Sequence, residues 1–415
     1  MQKKLVAAFV LSILLSSLLG VSQVSAETVE LKVFMTFPRF QDTFEEYFDQ
    51  FVQKMKEEQN IDVTIRLEMP HSDVAEQLLK ARLASNDAPD LFTLHAIADI
   101  PSFYEAGYLS DLSDQPFVDT LFESVKETVT YDGKVVALPL ESLAWGYLYN
   151  RTMFREYGLT PPSTLSEMRE VIEVLEQNGE TPFLLAFQES WIPQLMMALS
   201  LGGIVTSEQP DFIDNMNRGV GSYKDVEAVF EIIDLIMAHG TKRPFEVGSA
   251  AGSADFANGK AAMWVMGPWM AEALLSVNPD FDFGVAPLPV SENPAGAMIN
   301  LATSTSLAVS PTTKHKDVAL ALLNYILDEE ASSDLFESLK FNPLSTVHNY
   351  VSFSWIDEAM EYVAEGRAYL DLSLPGGVTD ETAKLLQSYY VGDVTKEDII
   401  RELDRAWSNA LKAQN

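Results

Sequence analysis

Apolar residues alternate at Val29, Leu31 and Val33, the period of a strand with one buried face, and the run ends at Met35-Thr-Phe-Pro-Arg39. Phe44, Phe48, Phe51, Val52 and Met55 then recur at helical spacing behind Asp42 or Thr43 as N-cap. Alternation returns at Ile61, Val63, Ile65 and Leu67. Helical spacing follows at Val74, Leu78, Leu79 and Leu83, and the stretch to Leu94 reads as a short buried strand. Three strand–helix steps within about 80 residues predict a parallel sheet covered by helices.

Further along, Asp132-Gly133 is a turn between two strands, Pro139 interrupts, and Trp145 to Asn150 resumes a strand. Thr164-Leu-Ser-Glu167 is a capping box whose helix stops at Asn178-Gly179. Gly202-Gly203 and Pro210 to Asn217 read as irregular segments. Helices are expected at Val226–Ala238, Lys316–Leu327 and Lys396–Lys412, and a strand at Asn300–Val309. About 390 residues beyond the N-terminal leader exceed one ordinary core, so two domains are the default.

The leader carries Lys3 and Lys4, an apolar run from Leu5 to Leu19, and the small-residue site Val24-Ser-Ala26. These features define a secretory signal peptide over 1–26, too short for a comfortable membrane span. Whether it is cleaved or kept as an anchor stays open. With no cysteine the chain has no disulfide framework, no thiolate metal site and no lipidation site. A formal net charge of −33 repels nucleic acid and anionic lipid. The expectation is a secreted, periplasmic or extracellular, monomeric protein without nucleic-acid partners, membrane insertion of the mature chain, or cofactor.

Catalytic signatures do not assemble. The histidines His71, His95, His239, His315 and His348 form no His-Glu-x-x-His; no phosphate-cradling loop and no Gly-x-Ser-x-Gly elbow occurs. These absences weaken an enzyme reading without ending it; carboxylate pairs are too common at this composition for a glycosidase pair to be read or excluded, and a secreted glycoside hydrolase stays as the weaker reading. Aromatics and amides at element ends are better placed. The Gly267-Pro-Trp269 turn ends a buried strand where ligand sites lie in open α/β sheets. Sugar rings offer apolar faces to flat aromatics and hydroxyl edges to fixed polar groups. The candidate ligand-binding residues are Phe37, Arg39, His95, Glu141, Trp145, Tyr147, Trp191, Trp269, Asn300 and Trp355.

Six segments in order resemble the family 1 extracellular solute-binding proteins, the sugar-capturing subunits of ABC importers. They are Ala84-Ser-Asn-Asp-Ala-Pro-Asp-Leu-Phe92, Glu105-Ala-Gly-Tyr-Leu109, Tyr131 to Pro139 with Leu148-Tyr-Asn150, Phe256 to Met263, Gly267-Pro-Trp269, and Asp282-Phe-Gly-Val285 with Pro287-Leu-Pro289. The resemblance runs from Val29 to about Leu411. It implies a two-lobed α/β periplasmic-binding-protein fold, type II-like, with a hinge of three crossings. One lobe would hold 27–139 and 300–342, the other 140–299 and 343–415. Crossings are expected near Leu138–Ser142, Pro294–Asn300 and Phe341–Asn349. It also implies a carbohydrate ligand, with an oligosaccharide expected, and ABC permease subunits as partners. Trp269, Trp191 and Trp355 are similar in position to stacking aromatics of the family. Phe37, Arg39, His95, Glu141 and Trp145 fall on loops that line the cleft. The segment Tyr369 to Gly377, with Gln387 and Thr395, is similar to relatives binding α-galactosyl or mixed oligosaccharides. The alternative is a same-fold receptor for glycerol phosphate or a polyamine. A phosphate would want clustered cations, and Arg39 is the only obvious one.

Overall fold

The strands follow the chain as β1 (Glu27–Phe34), β2 (Ile61–Glu68), β3 (Leu91–Leu94), β4 (Thr130–Tyr131), β5 (Lys134–Val135), β6 (Leu138–Trp145), β7 (Tyr147–Asn150), β8 (Met263–Trp264), β9 (Phe283–Ala286), β10 (Ile299–Val309) and β11 (Ala368–Leu370). This computed structural model describes residues 27–413 except 37, 86 and 330, and leaves out the side chains of 27, 39, 72, 73, 304 and 413. The expected signal peptide, 1–26, lies outside the described residues.

β1 pairs in parallel with β2 and with β3, and the helices Gln41–Gln59, Ser72–Leu83 and Ala96–Glu105 follow these strands in turn. The second of them is rotated from its expected face. Ala75, Leu79 and Leu83 are buried, while Val74 and Leu78 are 53% and 41% exposed. The i, i+4, i+8 row with the small Ala75 docks on the core, and counting only large apolar residues passes over it. The sheet is mixed, not purely parallel: β10 runs antiparallel to β3 over Ser306–Val309 and to β6 over Asn300–Leu307. Its first residues pair in parallel with β11. Pro139 does not interrupt β6. It sits opposite Ser306, beside a register shift in β10, where a missing ladder donor is tolerated. Asp132 and Gly133 take φ of 51° and 73°, the left-handed pair that a tight β4–β5 hairpin requires.

The remaining strands form a small antiparallel sheet, β8-β7-β9. The capping box at Thr164 and Glu167 opens the helix Leu165–Gln177 as expected. Gly202 and Gly203 are not in an irregular segment but inside the helix Gln194–Ser207, and Phe212–Asn217 is helical too. Close packing explains these glycines. A Cβ on Gly202 would lie 2.2 Å from the Tyr369 ring, and one on Gly203 would lie 2.6 Å from the Gly296 carbonyl oxygen.

Two apolar cores result. One draws on Val29 to Leu140 and Leu307 to Leu344, the other on Leu143 to Ala302 and Trp355 to Trp407. The chain exchanges cores within β6, within β10, and between Leu344 and Trp355. The first two exchanges are carried by one antiparallel strand pair.

Candidate ligand-binding cleft

A cavity of about 680 Å³ opens between the two cores, within the range of small-molecule sites. The first core supplies a polar wall. Thr36 and Pro38 follow β1, and His95 follows β3, so the C-terminal ends of neighbouring parallel strands face the cavity. His71, Glu76 and Lys80 extend this wall. The second core supplies Trp145, Trp191, Trp269 and one face of the helix Gln194–Ser207. Glu141 and Thr305, from the strand pair that joins the cores, lie between.

Aromatic geometry on the second wall follows from local chain constraints. Trp269 is half-buried and meets Trp145 edge to face, with centroids 5.2 Å apart and planes at 66°. Its ring folds back over Gly267: a Cβ there would lie 1.9 Å from it. The Gly-Pro-Trp turn thus needs glycine for space. The Trp145 indole N–H donates to Asn300 Oδ1 at 3.0 Å, and Asn300 Nδ2 donates to Asp371 Oδ1 at 3.0 Å. This relay fixes the indole plane and orients a carboxylate that itself lines the cavity.

Polar groups are positioned by helix starts. The backbone N–H of Ala98 donates to His95 Nδ1 at 3.2 Å, which in the neutral ring places the proton on Nε2. The His95 amide donates to Asp99 Oδ2 at 2.8 Å. Burial pushes the Asp99 carboxyl up, against the pull of that amide and the His95 ring. Glu189 accepts from the Ser249 amide at 2.8 Å and the Ser249 hydroxyl at 3.1 Å, at the start of the helix Ser249–Ala257. His71 Nε2 approaches Glu189 Oε1 to 3.7 Å and so joins the two walls at one point. Glu141 is buried and accepts from Thr305 Oγ1 at 3.3 Å. Glu76, Asp99, Glu141, Glu189, Asp371 and Asp380 line the cavity, against Lys80, His71 and His95 as the cationic or titratable bases among the described residues. That balance disfavours an anionic solute.

Of the residues expected from sequence, His95, Glu141, Trp145, Trp191 and Trp269 meet on the cavity. Asn300 is fully buried one layer behind, acting on Trp145 and Asp371. Tyr147 is in the second core with no exposed surface, because β7 is the middle strand of its sheet. Trp355 is also a core residue, held between Phe353 and Phe283 at 4.8 and 4.7 Å. Phe37 lies outside the described residues, as does the side chain of Arg39. Sequence reasoning passed over Glu76, Lys80, Glu189 and Asp380. An i, i+4 pair such as Glu76 and Lys80 looks like any exposed helix face. Asp371 was legible only as part of the segment Tyr369 to Gly377.

Two α/β bodies thus enclose a cleft with aromatic and carboxylate walls, large enough for a small molecule. The description of bacterial extracellular solute-binding proteins matches residues 38–332, and the chain belongs to that family. It is similar to the multiple sugar-binding protein of Streptococcus mutans, 26% identical over 66% of this chain and 66% of that protein. It also resembles the melibiose/raffinose/stachyose-binding protein MelE of Bacillus subtilis, 23% identical over 56% of this chain and 55% of that one. The chain therefore spans about half to two-thirds of these relatives' lengths, 55% and 66%. A sugar transporter of Bacillus licheniformis, solved in complex with stachyose, matches with a TM-score of 0.81 at 21% identity, covering 92% of this chain and 100% of that one. The fold is thus the two-lobed one of family 1 solute-binding proteins. The family consists of binding proteins. Among the described residues no helix is long and apolar enough to cross a membrane.

Proposed function

We propose that this chain is the receptor subunit of an ABC importer and captures an uncharged oligosaccharide between two closing lobes. The observation that carries the reading is the cavity between the cores. It sets the edge-to-face tryptophans on one wall against strand-end and helix-start polar groups on the other. Trp269 and Trp191 serve as stacking platforms for sugar faces. Glu141, Asp371 and His95 serve hydroxyl edges. The lobes correspond to the two cores, with passages between them at 141–142, 303–306 and 345–354. The crossings expected from the sequence are Leu138–Ser142, Pro294–Asn300 and Phe341–Asn349. The antiparallel pair β6–β10 carries two of the three passages and would serve as the hinge. The sole chemistry assigned is binding, in a secreted monomer that delivers ligand to permease subunits.

Relatives that bind raffinose, stachyose or multiple sugars support the ligand class. The acidic, aromatic wall also suits a linear polyamine. A thermal-shift and calorimetry panel of raffinose, stachyose, cellotriose, tri-N-acetylchitotriose, glycerol phosphate and spermidine tests the reading. At least one oligosaccharide should raise the melting midpoint and saturate at one site. Small-angle scattering should then show a smaller radius of gyration with that sugar bound. Binding of spermidine without any sugar overturns the carbohydrate assignment, and release of reducing ends on incubation overturns the binding-only role.

A further inference from the structure

His71 and Glu189 meet across the cleft, one from each lobe. His71 stands three residues beyond β2. Its carbonyl accepts from the Val74 and Ala75 amides, both at 3.1 Å, which fixes it at the start of the helix Ser72–Leu83. The Glu189 carboxylate is held in turn by the Ser249 amide and hydroxyl, and its Oε1 faces His71 Nε2 at 3.7 Å. That distance suits an ion pair and is too long for a hydrogen bond. The contact is therefore favourable when the imidazole carries a second proton and contributes little when it is neutral.

Its position amplifies the motion of the lobes. β2 is the edge strand of the order β11-β10-β3-β1-β2, three strand spacings or about 14 Å from β10. A rotation about the β6–β10 pair thus displaces His71 further than it displaces Glu141 or Thr305, which lie on that pair. Opening the cleft parts His71 from Glu189, and closing it brings them together.

The surrounding charges work in the same direction. Glu76 and Lys80 face the cavity from the helix that His71 begins, and they pair with each other. His95 and Asp99 face it from the helix Ala96–Glu105, and Glu141 from the hinge strands. From the second lobe come Glu189, Asp371 and Asp380, the last already interacting with Lys80 across the cleft. Carboxylates on both walls repel one another as the lobes approach, and a proton on His71 offsets part of that cost. His95 engages Nδ1 with the Ala98 amide of its own lobe, so closing gives its ring no comparable partner.

We infer that capture is proton-linked: closing of the lobes on a ligand draws a proton onto His71, which then pairs with Glu189. The inference rests on the closing-lobe reading and adds a regulation to it. By linkage, whatever protonates His71 also favours the closed, ligand-bound form. Affinity is then greatest at acidic pH, where His71 is already charged in the open form. It falls as pH rises, until the closed form has lost the proton too. Histidine makes this change between about pH 5 and 8.

The sugars of the panel, raffinose and stachyose first, are titrated into the mature chain by calorimetry at about pH 5.5 and about pH 8. A further titration at about pH 6.5 uses two buffers of different ionisation enthalpy, which reports protons taken up. The parent should bind about threefold tighter at the acidic pH, the scale of an exposed ion pair, and take up a fraction of a proton per sugar. His71→Gln should lose both effects; the side chain is 59% exposed, so the core is untouched. His71→Lys, charged throughout, should show a flat profile and no uptake. Glu189→Gln keeps the imidazole without its partner and should lose the tightening, whatever its absolute affinity.

Equal affinity at both pH values with no proton uptake overturns the coupling and leaves the oligosaccharide reading intact. Tightening that survives in His71→Gln or in Glu189→Gln assigns it to other groups on the cavity and likewise overturns the coupling. If no sugar of the panel binds at either pH, the oligosaccharide reading falls, and the coupling falls with it.

Discussion

Two aromatic groups in the second lobe use the same side chains in opposite ways. At the cavity, Trp145 and Trp269 meet edge to face, and Trp269 stays half-buried with the Gly267 turn beneath it. Behind it, Trp355 is sandwiched: its plane lies 1° from that of Phe353 and 22° from that of Phe283. This second group continues to Phe281 on one side and through Tyr350 and His348 to Phe336 on the other. Phe336 belongs to the first core, so the ladder follows the third passage from one core to the other. A ring with both faces covered contributes dispersion and area burial to the fold and has no face left for a ligand. Trp269, only half-buried, keeps part of its ring open to the cavity, whereas its partner Trp145 is as deeply buried as Trp355 and serves to hold it. The difference lies in what surrounds the ring.

The sharpest break between the groups is Trp355→Ala. It should cost about 3–5 kcal/mol of stability in urea melts, as for other buried aromatics, while the folded fraction keeps its ligand affinity. Retained stability would move Trp355 out of the core role.

The ladder should also respond to acid through His348. Burial lowers its pKa from 6.5 to about 4. Below pH 6.5 the unfolded histidine takes up a proton that the folded one refuses until about pH 4. Its contribution is therefore fully present above 6.5 and lost as pH falls to about 4, a total on the order of 3 kcal/mol. Urea melts of the parent and His348→Gln from pH 7 to 4 should show a shallower decline in the variant. Parallel declines would remove His348 as a source of acid sensitivity.

At the cavity the effect should fall on binding instead. Trp269→Ala should weaken oligosaccharide binding by about 2 kcal/mol, roughly thirtyfold, with a stability cost below that of Trp355→Ala. Affinity retained with stability lost would merge the two groups. The smallest change is Gly267→Ala. Its methyl needs the space of the Trp269 ring, so the ring must shift, and affinity should drop about tenfold, near 1.4 kcal/mol, in a protein that still folds. An unchanged affinity would mean that the ring position is not what binding uses.

Local features carried much of the architecture. The first strand–helix steps, the Asp132-Gly133 hairpin and the capping box at Thr164 all formed where periodicity and turn chemistry put them. The Gly267-Pro-Trp269 turn likewise formed as expected, because its local geometry is written in three consecutive residues. Where reading failed, a distant partner had overridden a local preference. Gly202 and Gly203 sit inside a helix, and they are glycines because Tyr369 and the Gly296 carbonyl leave no room for a Cβ. Pro139 stays in a strand because β10 shifts register opposite it.

By itself, then, the chain's order of residues determined the alternation of strands and helices, the acidic balance and the family. Only the tertiary structure decided which tryptophans face the cleft and which polar groups join them. Periodicity reports whether a side chain is buried relative to its own helix or strand, and says nothing of what buries it. The relay from Trp145 to Asn300 spans 155 residues, and the one from Asn300 to Asp371 spans 71. Neither can be read from spacing, since each joins segments far apart in the chain that meet only once the second core has condensed.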